Sequence, residues 1–274
     1  MEFWTSPDGK ISKKILVPGK WGNKPTENSK CEIQIESSSA ELEKYCNSSF
    51  VIGDTGNDME RLLEICISTL HLHERSYFTI DLSGQNKICF NMHLTKLEFD
   101  SYIYEWNAKK KYNLAMVHKK KGKDFFVKQN YVEAAFKFVK GLKIISSVPI
   151  DIQNPPTIVD GVTVSDIREL KMKLYNNLSS CYFKRQCYEI VINLCNKVLN
   201  FDDNNVKALY KLGVAYENDK NFEKADEMLT KVLDIEPQNK ACAEHLANVK
   251  QNLRNAQHRM NDIMRKMISE TITK

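Results

Sequence analysis

Four lysines and one asparagine in the second half of the chain have the residue types and spacing of a site for carboxylates. Lys119 and Lys123 are four residues apart, as are Lys207 and Lys211, and Asn177 lies between the two pairs. Residues four apart share one face of a helix, and ammonium and amide groups donate hydrogen bonds to carboxylates. A single lysine of this kind is more often a solvated surface residue. The prediction of an acidic-peptide site therefore depends on helices that bring all five residues to one groove.

Other reactive residue types lack the partners that catalysis or metal binding requires. His71 and His73 have no third ligand nearby, so surface or packing roles are favoured over a metal pair. The eight cysteines form no CxxC motif and no Cys/His quartet at zinc spacing, which predicts free, buried thiols in a reducing compartment. No Walker loop and no GxSxG motif occur. The sequence therefore predicts no cofactor, no metal and no nucleophilic catalysis.

The lysine pairs lie in a helical region with internal repeats. Residues 207–237 have the offsets of a tetratricopeptide (TPR) unit, at Leu209, Leu212, Gly213, Tyr216, Ala225, Leu229 and Pro237. A shift of 34 residues reaches a more degenerate unit at about 170–203, and a first unit precedes that one by 57 residues, with a Pro-containing insertion between them. Three units predict a superhelix in which the first helix of each pair lines a concave groove. Residues 238–271 continue with an apolar seam on one long helix, whose first half is expected to cover the third repeat.

The first half of the chain has a different texture, with short β-rich runs. KKILVPG, KCEIQIES, SYFTIDLS and KICFNMHLTKLEF read as strands, and residues 57–72 carry one helical pattern. These runs predict an antiparallel sheet with a single packed helix. The expected class is therefore α+β, with a β domain at 1–105, a TPR domain at 106–240 and a terminal helix at 241–274.

The net charge is unevenly distributed along the 274 residues. Residues 1–107 hold 11 Lys and Arg against 16 Asp and Glu, so the total of +5 comes entirely from the second half, which should attract an acidic partner. No run approaches the ~18 apolar residues of a membrane span, and the N-terminal residues lack a signal-peptide pattern. We therefore expect a protein of the cytoplasm, or also of the nucleus, with no membrane partner.

The five polar residues resemble the carboxylate-clamp class of TPR domains, which hold the Glu-Glu-Val-Asp tails of heat-shock proteins 90 and 70. Lys119, Asn177 and Lys207 stand where that pattern places Lys, Asn and Lys. Lys123 replaces an Asn and Lys211 replaces an Arg, which keeps the charge but loses the planar two-pronged donor. The resemblance implies a clamp made of Lys119, Lys123, Asn177, Lys207 and Lys211.

The whole chain resembles the FKBP-type immunophilins that carry TPR domains, through the entry strand DGKISKKILVPG, the segment LLEICISTLHLHERSYFTIDL and the final strand CFNMHLTKLEF. An active isomerase of that family needs a Trp at the pocket floor, which falls here on Leu63. Its Val-Ile backbone donor falls on Met59 and Glu60, and QIESSSAELEKY replaces its HYTG strand. The resemblance is therefore to divergent members, of the FKBP-like and aryl-hydrocarbon-receptor-interacting protein types, whose domain is inactive.

This resemblance implies a non-catalytic co-chaperone adaptor. The TPR groove would bind the acidic tail of heat-shock protein 90, or of heat-shock protein 70, while the β domain and the terminal helix contact a client. The alternatives are nucleic-acid binding by the basic half, through the lysines at 109–111 and 119–123 and the helix RNAQHRMNDIMRKM, and an active isomerase. Against nucleic acid, the basic residues are not interleaved with exposed aromatic residues, and no RNA-binding module is recognisable.

Overall fold

The chain divides into two units, residues 1–106 and 107–274, each with its own internal contacts. The computed structural model describes residues 3–37, 39–82, 87–151 and 153–272. The division falls one residue beyond the boundary expected from the change in sequence texture.

The first unit is an antiparallel sheet with one helix packed on it. In its described part six strands pair in the order β1-β2-β5-β6-β3-β4. Their bounds are β1 Phe3–Thr5, β2 Ile11–Val17, β3 Lys30–Ser37, β4 Asn47–Val51, β5 Arg75–Asp81 and β6 Lys87–Glu98. Alternate residues of β3 are buried, including Cys31, Ile33 and Ile35, because successive side chains of a strand point to opposite faces.

Helix α1, Asp58–Ser68, covers the buried face of this sheet. It begins after Asn57, whose Oδ1 accepts the N–H of Glu60 at 2.9 Å, as an N-cap does. It ends at Ser68, short of the predicted 72, and in the segment that follows the N–H of His71 donates to the Glu74 carboxylate at 2.9 Å. Leu63, Cys66 and Ile67 face the core and are fully buried.

The second unit is built from antiparallel helix pairs. Its helices are α2 Ala108–Val127, α3 Tyr131–Ser146, α4 Val164–Lys184, α5 Tyr188–Leu199, α6 Val206–Asn218, α7 Phe222–Ile235 and α8 Lys240–Ile272. The predicted insertion contains a small hairpin of β7, Ile158–Val159, and β8, Val162–Thr163. Asp160 in that hairpin accepts the N–H of Ala108 at 2.8 Å, so the insertion also caps α2. The two units together confirm the α+β class.

The helix pairs repeat along the chain at the spacing predicted from the sequence. Gln129, Gln186 and Lys220, each in the turn between the two helices of a pair, have positive φ angles of 60°, 58° and 60°. Two of the helix pairs also approach closely at a glycine. A Cβ on Gly122 would lie 2.5 Å from the Phe138 ring, and one on Gly213 would lie 2.7 Å from the Leu229 side chain. Small residues at these positions therefore set the spacing within two of the pairs.

The first turns of α8 complete the core of the third pair. Cys242, Leu246 and Val249 are buried in one cluster with residues of α6 and α7. Further along, Met260 and Ile263 are more than half exposed, so the apolar seam extends beyond the repeats. Among the described residues, no helix combines the length and the apolar composition needed to cross a bilayer.

Candidate functional site

Helices α2, α4 and α6 are the first helices of the three pairs, and they carry all five predicted site residues. Helix α4 contacts both α2 and α6, so the three form one continuous surface. Because α4 lies in the middle, a ligand in this groove would touch residues of all three helices.

Lys119 and Lys123 lie on the α2 side of this surface. Lys119 is half-buried and Lys123 is exposed, and Lys119 Nζ donates to the thioether sulfur of Met116 at 3.7 Å. Burial lowers the pKa of Lys119, and repulsion from Lys123 and Lys173 lowers it further, whereas Glu169 opposes the change. Several cations therefore lie close together around Lys119, and an anionic ligand would reduce the repulsion among them.

Asn177 lies on α4, between the two lysine pairs in the sequence. Its Nδ2 is buried and has no hydrogen-bond partner in the part of the chain that the structure describes. A buried donor without an acceptor costs about 1–3 kcal/mol. A ligand carboxylate would supply the missing acceptor, which is the role that the sequence predicts for Asn177.

Lys207 and Lys211 are both on α6, but their surroundings differ. Lys207 is exposed, so its ammonium is accessible. Lys211 is only 6% exposed. Its Nζ donates to α4, to the carbonyl of Asn176 at 2.9 Å, to Asn176 Oδ1 at 2.5 Å and to the hydroxyls of Ser179 at 2.5 Å and Ser180 at 3.1 Å.

This geometry corrects the role expected for Lys211. An ammonium has three protons, and four acceptors of α4 already surround them, so the group is not available to a peptide carboxylate. Burial lowers its pKa to about 8. Lys211 therefore links α4 to α6, because a flexible stem at this position reaches a polar cluster on the neighbouring helix that the clamp pattern does not describe.

Lys173 is a candidate that the sequence reasoning missed. It lies four residues before Asn177 on α4 and 34 residues before Lys207, so it occupies the same repeat position as Lys207. Its side chain is about half exposed and forms an ion pair with Glu169 at 2.5 Å. The 34-residue register could have found it, since the same shift that maps Lys211 onto Asn177 maps Lys207 onto Lys173.

The basic cluster at 109–111 is smaller than the sequence indicates. Lys111 is buried, and its Nζ donates to the carbonyl of Ser147 at 3.0 Å, between α2 and the end of α3. An ammonium held in this way is not available to phosphates. The nucleic-acid alternative therefore loses one of the residues on which it depended.

The first unit has its isomerase-type positions filled by packing. Leu63, at the predicted pocket floor, is 0% exposed. The N–H of Glu60, at a position of the predicted backbone donor, is already bonded to Asn57 Oδ1. The Leu63 side chain and the N–H of Glu60 are therefore both engaged in contacts within the first unit.

The remaining candidate side chains are the histidines and the cysteines. His71 stacks on Trp21, with ring centroids 5.7 Å apart, and within the described residues no group of three His, Cys, Asp or Glu could hold a metal ion. All eight cysteines are free. Five are buried as expected, but Cys46 and Cys187 are half-buried and Cys89 is exposed on the sheet.

Comparison with known proteins finds relatives of both units. A family described as BDBT FKBP like N-terminal matches residues 4–99, and a tetratricopeptide-repeat family matches residues 206–239. The FK506-binding protein-like of Mus musculus is 29% identical over 257 residues, which cover 90% of this chain and 68% of the mouse protein. The human peptidyl-prolyl cis-trans isomerase FKBP4 is 27% identical over 263 residues. The match covers 90% of this chain but only 56% of the isomerase.

A solved structure extends the similarity to the helical unit. It is the C-terminal TPR-containing domain of a Plasmodium falciparum protein described as an FK506-binding protein. It is 30% identical, with a TM-score of 0.51, and the match covers 57% of this chain and 99% of that domain. The similarities therefore reach both units, the β domain through its family and the helices through a solved TPR domain.

Proposed function

The chain belongs to the immunophilins that join an FKBP-like domain to TPR repeats, and on that premise we propose that it is a non-catalytic co-chaperone adaptor. Its TPR groove binds the acidic carboxyl-terminal tail of heat-shock protein 90, or of heat-shock protein 70. Its FKBP-like domain and terminal helix contact a client.

The buried, unpartnered Nδ2 of Asn177 carries this proposal. It lies on the middle helix of the groove, four residues after Lys173, with Lys119 and Lys123 on one neighbouring helix and Lys207 on the other. A peptide that ends in Asp presents two carboxylates at its last residue. Those carboxylates can accept the amide proton and charge-assisted bonds from the ammonium groups together, which satisfies the buried donor and reduces the repulsion among the lysines.

The absence of catalysis is part of the proposal. Prolyl isomerisation needs an open pocket and donors that stabilise a twisted amide. Leu63 is sealed in the core, and the N–H of Glu60 caps α1. The FKBP-like domain then contributes a surface and not a reaction.

Calorimetric titration of the full chain with a peptide ending in Glu-Glu-Val-Asp tests the groove. We expect Lys119→Ala and Lys207→Ala each to weaken binding by at least about tenfold, because a hydrogen bond to a charged group contributes about 1.5–3 kcal/mol. The same peptide with an amidated carboxyl end should bind more weakly to the unaltered chain. Lys231→Ala is the control, because Lys231 lies on α7, which is a second helix of its pair.

The proposal fails if the free peptide and the amidated peptide bind equally, or if Lys207→Ala and Lys231→Ala bind the free peptide alike. Raising the salt concentration should weaken binding to the unaltered chain. An affinity that does not change with salt would also contradict a groove that works through lysine charges.

A further inference from the structure

The ion pair between Glu169 and Lys173 lies on the face of α4 that meets α2. Both residues affect the pKa of Lys119 on α2, Lys173 lowering it and Glu169 raising it. Both also act on Tyr112 of α2, where burial raises the pKa first and the charges of Asp166 and Glu169 raise it further. The pair therefore lies beside the α2 lysines and not on the outer surface of the repeats.

The repeat register places Lys173 among the ligand positions. Lys173 and Asn177 on α4 correspond, 34 residues apart, to Lys207 and Lys211 on α6. Since Lys211 is held by α4, α6 offers one free ammonium at these two positions, which is Lys207. On α4 both positions offer a donor. The amide of Asn177 lacks a partner, and the ammonium of Lys173 is paired with Glu169.

We propose that Lys173 is a further ligand for the carboxylates of the bound peptide, and that Glu169 competes with those carboxylates for it. This inference rests on the proposed function. In the structure the Glu169 carboxylate pairs with the Lys173 ammonium, with Oε1 and Nζ 2.5 Å apart and both side chains about half exposed. When an acidic peptide enters, Lys173 exchanges one carboxylate for another, and Glu169 turns to solvent.

The exchange is inexpensive because exposed ion pairs four residues apart on a helix are weak. A peptide therefore displaces Glu169 at a small cost, and removing the Glu169 charge removes that cost.

Two charge-removing substitutions separate these roles in titrations with the Glu-Glu-Val-Asp peptide. Glu169→Gln removes the competitor and should tighten binding about twofold, whereas Lys173→Gln removes the ligand and should weaken binding about three- to fivefold. The double variant should bind like Lys173→Gln, because a competitor has no effect once its target is gone.

The chain contains a matched control pair. Glu227 and Lys231 on α7 have the same four-residue spacing, an N–O distance of 2.7 Å and similar exposure, but they are not on a groove helix. Glu227→Gln and Lys231→Gln should leave the peptide affinity unchanged. They should change the melting temperature no more than Glu169→Gln and Lys173→Gln do.

Three results would overturn the inference. If the Lys173→Gln variant binds the peptide as the Lys231→Gln variant does, Lys173 is a solvated residue. If Glu169→Gln weakens binding, Glu169 supports Lys173 and does not compete for it. Both results leave the proposed function intact, because the unaltered chain still binds. An unaltered chain that does not bind the peptide removes the proposed function and this inference together.

Discussion

Lys211→Arg is the substitution that best separates a ligand from a link between helices. If Lys211 bound the peptide, arginine would restore the planar donor of the carboxylate-clamp pattern and tighten binding. In the structure the side chain is 6% exposed, and its Nζ lies 2.5–3.1 Å from four acceptors on α4. A guanidinium is larger than the space that holds the ammonium, so we expect overpacking to destabilise the helical unit by about 2 kcal/mol.

The expected loss can be read as a melting temperature. For a unit of 150–250 residues, about 2–4 °C is lost per kcal/mol, so Lys211→Arg should lower the melting temperature of the helical unit by about 4–8 °C. The assay is thermal unfolding of the full chain followed by helical circular dichroism. Peptide affinity is then measured well below the transition, so that unfolding does not affect it.

Lys207→Arg is the control for this experiment. It lies one turn earlier on the same helix and is exposed, so it should leave the melting temperature unchanged while keeping peptide binding. The reasoning is refuted if Lys211→Arg melts like the unaltered chain and binds the acidic peptide more tightly. That result would mean that the ammonium is free to leave α4 and that Lys211 is a ligand after all.

Three further predictions concern packing, pH and catalysis. Gly122→Ala should destabilise the helical unit by about 1–3 kcal/mol in chemical unfolding, because its Cβ would lie 2.5 Å from the Phe138 ring. Gly141→Ala, whose nearest neighbours are at 3.3 Å, should cost less or be neutral, and equal losses would contradict this account. The pKa of Lys211 is lowered from 10.5 to about 8 by burial, so between these pH values the unfolded chain binds more protons than the folded chain. The free energy of unfolding should therefore gain a rising contribution over that window, which Lys211→Met lacks; parallel pH profiles of the two chains would disprove it. The full chain should not accelerate isomerisation of a prolyl peptide above the uncatalysed rate, and Leu63→Trp should not rescue activity, because position 63 is sealed; measurable turnover by the unaltered chain would show that the pocket is open.

Local patterns were sufficient for the class of each half and for the family. Apolar spacing predicted α1 and the helices of the repeats, and β-rich runs predicted β2, β3, β5 and β6. The resemblance to TPR immunophilins, drawn from the motifs, is confirmed by the relatives of both units. These features are readable because helix periodicity, turn residues and small residues at close crossings act within one repeat.

The strands that were missed are edge strands. β1 and β4 are short, and β4 has the sequence NSSFV, which carries little β signal of its own. β4 exists because β3 offers it a pairing edge, with Phe50 opposite Cys31. A short edge strand with few β-favouring residues depends on its neighbour for pairing, and its own local pattern does not show that neighbour.

Sequence patterns were thus enough to predict the order of a β domain and three helical repeats, and they predicted a groove lined by Lys119, Lys123, Asn177, Lys207 and Lys211. Which of the basic residues are free depends on tertiary contacts. Lysine has a long flexible stem, and whether its ammonium meets solvent or a neighbouring helix depends on contacts across more than 30 residues, as with Lys211 and Ser179 or Lys111 and Ser147. Those contacts turned two lysines into links between elements. They also left the Asn177 amide without a partner and placed Lys173 against Glu169 beside α2.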